Sequence, residues 1–242
     1  MTKIAINGAC GRMGLTVAKC ALEDKAFEIV EALEAAASPA VGRDYGEFAG
    51  RPSLGVTVTR DMGSKAEALI DFSTPEASLE RLLECVKRAR PHVICTTGFT
   101  PAQRQQIEVA AKHIPIVLSS NMSVGVNVLF KVAAEVAQAL GPAYDLDIIE
   151  THHRFKKDAP SGTAKTLAEE IEKATGRKPN IAAVRSGDVV GDHRVVFGSI
   201  GDAIEIRHTA SSRDIFAKGA LRAAAWLTRA KPGLYSMRDI LA

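Results

Sequence analysis

Cysteine is scarce in this sequence, and its few copies are badly placed for cross-links or metal. Cys10, Cys20, Cys85 and Cys95 all fall in the first hundred residues. None forms a CxxC pair and no His/Cys spacing suits zinc, so no metal is expected. A chain of 242 residues, 46% of them hydrophobic, can build one large core or two modest ones without disulfides. Free thiols in a reducing compartment are the expectation. Charge of one sign is also lacking. The formal net charge is +3, too small to point to nucleic acid or a membrane, although it suits anionic small ligands. No run of about 18 apolar residues occurs, and Met1-Thr2-Lys3 leads directly into a short apolar strand rather than a secretory leader. Those absences predict a cytoplasmic protein. With 24% charged residues, nearly balanced in sign, the composition also lacks the polar, self-repelling character of a disordered chain.

What is present is an alternation of strands and helices. Residues 3–7, 28–33, 56–59, a stretch ending at Ile70-Asp71-Phe72, 92–95 and 114–118 read as strands. Residues 12–24, a segment from Pro75 to about Ala89, and 101–112 read as helices, with an irregular connection over 36–55. This order predicts a Rossmann-type, doubly wound parallel sheet. The pattern changes after residue 123. A long apolar-rich helix over 124–140 is stopped by Gly141-Pro142, and a half-buried strand follows over 145–151. A helix over 161–174 and strands over 181–185, 193–198 and 203–209 complete a second α+β domain with a mixed sheet. The last helix, roughly 213–229, either caps that domain or returns to the first. The division expected is 1–122 plus 211–242 for a dinucleotide-binding domain and 123–210 for a substrate-binding and oligomerisation domain.

Gly8-Ala9-Cys10-Gly11-Arg12-Met13-Gly14 lies between the first strand and the first helix. Its GxxGxxG spacing is one residue longer than the commonest dinucleotide fingerprint, but it meets the same need. Glycine permits a tight turn and lets pyrophosphate reach peptide N–H groups at a helix N-terminus. Gly14 would let helix and strand pack closely, and Arg12 could add a contact to phosphate. Glycine triplets also occur in ordinary turns. The context favours the dinucleotide, because Glu34 stands 20 residues after Gly14 at the end of the second strand, where a carboxylate accepts ribose hydroxyls. Ala35, Ala36 and Ala37 follow it, leaving only Arg43 to reach back toward a 2′-phosphate. NADH is therefore expected to be preferred over NADPH. Ser73-Thr74-Pro75, Thr96-Thr97-Gly98-Phe99 and Ser119-Ser120-Asn121-Met122-Ser123 follow later strands. They either hold the nicotinamide ribose and carboxamide or serve as routine helix caps.

The densest polar cluster runs from Glu150 to Ala164, ETHHRFKKDAPSGTA. It leaves a strand and enters a helix whose first residues, Ser161, Gly162 and Thr163, bring N–H groups to an anion site. Basic side chains beside a helix N-terminus suit a carboxylate-rich substrate, and imidazole and ammonium groups can supply protons. The plainer reading is a solvated basic loop. Arg207-His208 and Ser211-Ser212-Arg213 either add charge to the same cleft or lie at the surface.

These residues together resemble the 4-hydroxy-tetrahydrodipicolinate reductase (dihydrodipicolinate reductase) family over essentially the whole chain. The strongest likeness is Glu150 to Ala164 against the family pattern E-x-H-H-x-x-K-x-D-x-P-S-G-T-A. Gly8–Gly14, Thr96–Phe99, Ser120–Asn127 and Ala210–Arg213 also match. The resemblance implies reduction of 4-hydroxy-tetrahydrodipicolinate by NADH or NADPH to tetrahydrodipicolinate and water, on the diaminopimelate route to lysine. It implies His152 as proton donor and acceptor and Lys156 as second proton donor. His153, Gly162 and Thr163 become contacts to the dicarboxylate substrate. Gly8, Ala9, Cys10, Gly11, Arg12, Met13, Glu34, Cys95, Thr96, Thr97, Ser119, Ser120, Asn121 and Met122 become cofactor contacts. It further implies a homotetramer built through the second domain, a last helix packed on the nucleotide domain, and neither nucleic acid nor membrane as partner. Three departures stand out. Cys95 replaces the usual glycine before Thr-Thr-Gly, Ala35 replaces a basic residue of some members, and the stretch before Arg185-Ser186-Gly187-Asp188 is short. Two other functions compete on the residues alone. Another dehydrogenase of this architecture would need its own substrate motif, and a dinucleotide sensor would not need the His152–Thr163 cluster.

Overall fold

The structure, a computed structural model, describes residues 1–241. It divides into two compact units, Met1–Met122 with the chain from Phe216 onward, and Ser123–Ile215.

In the first unit the chain runs β1 (Thr2–Asn7), α1 (Arg12–Glu23), β2 (Phe27–Leu33), α2 (Tyr45–Phe48), β3 (Val58–Thr59), β4 (Ala68–Asp71), α3 (Pro75–Lys87), β5 (His92–Ile94), α4 (Pro101–Ala110) and β6 (Pro115–Leu118). It returns in α7 (Asp214–Leu227), β11 (Gly233–Tyr235) and α8 (Met237–Leu241). The seven strands are all parallel, in the order β11-β6-β5-β4-β1-β2-β3. A parallel sheet is covered on both faces, which is why β4 and β5 are buried throughout without alternation. The helices start where local chemistry allows. Thr74 accepts the Ala77 N–H ahead of Pro75, and Thr100 and Gln103 form a reciprocal capping box around Pro101. Leu82 and Ile107 then bury their side chains against Leu69, Ile94 and Ile116, each contributing roughly 1.5–3 kcal/mol. Strand order reverses between β1 and β4. Asn7 lies in register with both Leu33 and Asp71, so the loops leaving β1, β2 and β4 emerge side by side at that switch point.

The second unit contains α5 (Val124–Leu140), a short 3₁₀ turn (Gly141–Ala143), β7 (Asp145–His152), α6 (Gly162–Thr175), β8 (Asn180–Arg185), β9 (Gly191–Gly198) and β10 (Ala203–Ala210). The sheet order is β10-β9-β7-β8, with β7 and β8 parallel across α6 and the other pairs antiparallel. Burial alternates along β7 and β9. Leu146, Ile148, Val195 and Phe197 join Phe130, Leu167 and Ile171 of α5 and α6 in one core. Toward the end of the sheet the same inward positions become polar: Glu150 and His152 on β7, His193 on β9. By length and composition, α5 with its 3₁₀ extension could cross a membrane. It carries Lys131 and Glu135, and its Val126, Leu129, Phe130 and Ala133 enter this core.

Three elements escape the sequence reading: α2 inside the irregular connection, and β11 and α8 after the last helix. Each is short, and β11 is defined by pairing with β6 rather than by its own pattern.

Candidate functional site

Two clusters, one in each unit, hold the residues singled out by the sequence. In the first, Gly8 has a positive φ of 69°, and a Cβ there would stand 2.7 Å from the Phe72 carbonyl oxygen across the strand switch. A Cβ on Gly14 would fall 2.2 Å from the Gly8 carbonyl oxygen and 2.4 Å from that of Ala9. Helix α1 and the β1 turn approach so closely that only glycine fits. Gly11 occupies the N-cap position of α1, no side chain caps the helix, and its first turn carries no acidic residue. An unscreened helix N-terminus with backbone laid bare by glycine fits a dinucleotide pyrophosphate. Arg12 is exposed and Met13 partly so.

Glu34 leaves β2 and turns back to this loop, where its Oε1 accepts the Cys10 N–H at 2.7 Å. Burial, and then the Glu34 charge, push the Cys10 thiol up to about 11. Arg43 is ion-paired with Glu47 at 2.6 Å and lies over the Phe48 ring. Tyr45 is a residue the sequence reading missed. It is fully buried, and its hydroxyl donates to the Ala9 carbonyl at 2.8 Å and lies 3.2 Å from that of Gly14. Its only sequence signal is an aromatic inside a glycine-rich connection.

Around β4 and β5, Ser73 is no helix cap. Its hydroxyl donates to Asp71 at 2.6 Å and its N–H is 3.2 Å from the Thr96 hydroxyl. His92, buried like Asp71, meets the other carboxylate oxygen at 3.3 Å. Burial opposes ionisation of Asp71, but hydrogen bonds from His92 and Ser73 hold its carboxyl below the usual range. Thr96 is thus buried in a polar net while Thr97 is exposed. Burial raises the Cys95 thiol well above its ordinary value, which makes it inert as a nucleophile. Ser119 donates to the Asn121 carbonyl at 2.9 Å, and Met122 is buried beneath Gly219 of α7.

The second cluster is at the polar end of the four-stranded sheet. Glu150 is fully buried. Its Oε2 accepts a hydrogen bond from His152 Nδ1, and its Oε1 accepts the Ser161 N–H at 3.0 Å. Arg185 grips the same carboxylate with Nη1 at 3.0 Å and Nη2 at 2.9 Å, and also donates to the Asp158 carbonyl. Burial works against the Glu150 charge, yet the bonds from Arg185, His152 and Ser161 keep its pKa below the usual range. Burial lowers the His152 pKa, helped by the charges of Lys156 and Arg185 and opposed by Glu150. His193 packs edge-on against His152, with ring centroids 5.1 Å apart, and its Nε2 is 3.4 Å from the Ser161 hydroxyl. Burial, with the neighbouring His152, pushes it down to about 4.

Above this row α6 begins. Ser161 caps it by accepting the Ala164 N–H, Thr163 is buried, and nothing lies within 4 Å of where a Gly162 Cβ would be. His153 stands beyond the strand end, its ring 6.4 Å from that of Phe155, and Lys156 Nζ pairs with Asp158 at 2.8 Å. Arg207 pairs with Asp192 on the opposite face of the sheet, while His208 packs against Gly125 on the side of the cluster. Sequence reasoning passed over Glu150, Arg185 and His193 as individual residues. For Glu150 and His193 the signal was parity, since 150 and 193 fall on the inward positions of their strands, where an ionisable side chain needs a reason. Among the described residues no group of three or more His, Cys, Asp or Glu could hold a metal ion.

Family models described as dihydrodipicolinate reductase, N-terminus, and dihydrodipicolinate reductase, C-terminus, match residues 2–122 and 125–241. A 4-hydroxy-tetrahydrodipicolinate reductase of Syntrophotalea carbinolica is 45% identical, with 100% of this chain and 99% of the relative covered. That of Citrifermentans bemidjiense is 43% identical, with the same coverage of each. A dipicolinate-bound dihydrodipicolinate reductase structure from Paenisporosarcina sp. TG-14 superimposes with a TM-score of 0.82 at 26% identity, covering 99% of each chain.

Proposed function

The chain belongs to the dihydrodipicolinate reductase family, and from that premise we propose how its own residues carry out the reduction of 4-hydroxy-tetrahydrodipicolinate to tetrahydrodipicolinate and water. The chain is an NAD(P)H-dependent reductase. The dinucleotide, when bound, supplies the hydride. Gly8 through Met13 hold its pyrophosphate on the N-terminus of α1, and Glu34 accepts the adenosine ribose hydroxyls in place of the Cys10 N–H. Cys95, Thr96, Thr97 and Ser119 through Met122 hold the nicotinamide half. NADH is the preferred form, because the carboxylate of Glu34 repels a 2′-phosphate and Arg43 is already paired with Glu47.

The substrate carries two carboxylates. The first turn of α6, through the Gly162 and Thr163 N–H groups and the Thr163 hydroxyl, binds one of them in the open space above Gly162. His153 binds a carboxylate from the strand end. The net reaction consumes one proton, which leaves in the released water. His152 and Lys156 supply and relay it, the imidazole from the buried end of β7 and the ammonium from the loop. The observation that carries this reading is the setting of His152 at the same sheet end as the α6 N-terminus, with Glu150 bonded to both His152 and Ser161. The uncovered face of the sheet, with Ile149, Val196 and the exposed Val184, supports assembly through this unit as a homotetramer. The enzyme works in the cytoplasm. Steady-state turnover with enzymatically generated hydroxy-tetrahydrodipicolinate tests the cofactor reading. Higher kcat/KM with NADH than with NADPH is expected, and a strong NADPH preference overturns the role given to Glu34 and Ala35.

A further inference from the structure

The polar end of the second sheet holds more charge than substrate binding requires. Inward positions of β7 run Leu146, Ile148, Glu150, His152, so a carboxylate replaces an aliphatic side chain one step before the histidine. Four donors converge on it: His152 Nδ1, the Ser161 N–H, and both terminal nitrogens of Arg185. A buried ion pair of this kind is a poor way to add stability, because desolvating both charges offsets much of their attraction, and an apolar pair of similar volume does as well or better. It is a good way to immobilise a carboxylate. With its oxygens fastened from three sides, Glu150 presents one fixed acceptor to His152.

From this geometry we infer that Glu150, clamped by Arg185, is the positioning residue of His152, fixing its ring so that Nδ1 keeps a proton and Nε2 is the nitrogen that serves the substrate. The inference rests on the reading of His152 as proton donor. An imidazole two residues along the same strand from a carboxylate shares its face, and a carboxylate on one ring nitrogen decides the tautomer at the other. Among the described residues no hydrogen bond reaches Nε2. Gly191 keeps that side clear, since a Cβ there would lie 3.2 Å from Nε2. His193 walls the ring edge-on.

The charges facing His152 set the sign of the effect. From β7 comes Glu150, negative; from β8, Arg185, positive; from the following loop, Lys156, itself paired with Asp158. From β9 comes His193, neutral near pH 7 and flanked by Asp192 and by His208 of β10. Glu150 alone among the groups acting directly on the ring favours the imidazolium. Without its charge, burial, Arg185 and Lys156 all act against protonation.

The test uses the full-length enzyme with NADH and generated hydroxy-tetrahydrodipicolinate. It compares wild type, Glu150→Gln, Arg185→Met and His152→Gln across pH, alongside ¹⁵N NMR of the histidine rings without substrate. In the wild type the neutral His152 ring carries its proton on Nδ1. In Glu150→Gln the Nε2–H form grows, kcat falls about 100-fold, on the scale of general acid catalysis, and the fall in rate at high pH begins at a lower pH. NADH affinity stays within about twofold, because Glu150 lies outside the cofactor unit. Arg185→Met, which leaves the carboxylate but loosens it, gives a smaller rise of the Nε2–H form and a smaller fall in kcat, but with its positive charge gone the fall in rate at high pH begins at a higher pH; it guards against misfolding of the first variant. An unchanged tautomer and a superimposable pH profile in both variants overturn the inference. Wild-type turnover in His152→Gln instead overturns the donor assignment, and the tautomer ratio in Glu150→Gln then still decides whether Glu150 positions the ring.

Discussion

Single side chains decide how well the glycine loop is held. Tyr45 is buried with its hydroxyl on the Ala9 carbonyl, so Tyr45→Phe leaves a buried acceptor short of a donor without changing shape. A loss of about 1–2 kcal/mol in thermal or urea unfolding is expected, together with several-fold weaker NADH binding by fluorescence titration, because the loop that receives the pyrophosphate is loosened. Unchanged binding would separate the tyrosine from the cofactor. At this scale the sequence is legible where a residue type has one use. Gly8 could be read as a turn glycine and Gly14 as a close-packing one, and the positive φ of the first and the close backbone contact of the second agree. Glu34 could be placed at a strand end, but its bond to the Cys10 N–H could not, because it depends on the side-chain rotamer. Tyr45 was illegible for the same reason, since its partners are 31 and 36 residues away.

The helices show a different kind of legibility. Long periodic elements are plain from pattern alone, and α5 occupies 124–140 as its apolar stripe and the Gly141-Pro142 stop require. Short elements that exist through pairing, such as β11 against β6, carry no such signal. Two glycines at helices make opposite predictions. Gly219 of α7 lies so close to the Met122 backbone that a Cβ would come within 1.8 Å of its carbonyl oxygen. Gly219→Ala should therefore lose at least about 1–3 kcal/mol and weaken NADH binding by displacing the Ser120–Met122 segment. Gly162, at the start of α6, has open space around it. Gly162→Ala should keep or slightly raise the melting temperature and leave NADH affinity alone, yet raise KM for the dicarboxylate several-fold as the methyl fills the carboxylate position. Unchanged KM there would remove the α6 N-terminus from the substrate site.

For the molecule as a whole, the buried histidines link the site to stability. The pKa of His193 falls from 6.5 in the unfolded chain to about 4 in the fold, and those of His152 and His208 are lowered by burial as well. The unfolded state therefore binds more protons between about pH 6.5 and 4, and stability must decrease as pH falls through that window. His193 alone is worth on the order of 3 kcal/mol across it. The melting temperature should drop steeply from pH 7 to pH 5, and His193→Asn should flatten the slope; a slope unaffected by that change would contradict the assignment. The two-unit architecture was readable because βα alternation gives way to a long helix and alternating strands after residue 123. The ionic row behind His152 was not, because it joins β7, β8 and the start of α6 through contacts that only the sheet register creates. The most direct test of the central claim is substrate-dependent NADH oxidation by the wild type and by Lys156→Ala, with NADH binding measured in parallel. Turnover to tetrahydrodipicolinate by the wild type, a loss of about 10²-fold or more in the variant, and equal NADH affinity in both are expected. No substrate-dependent oxidation by the wild type, or full turnover by the variant, would contradict that claim.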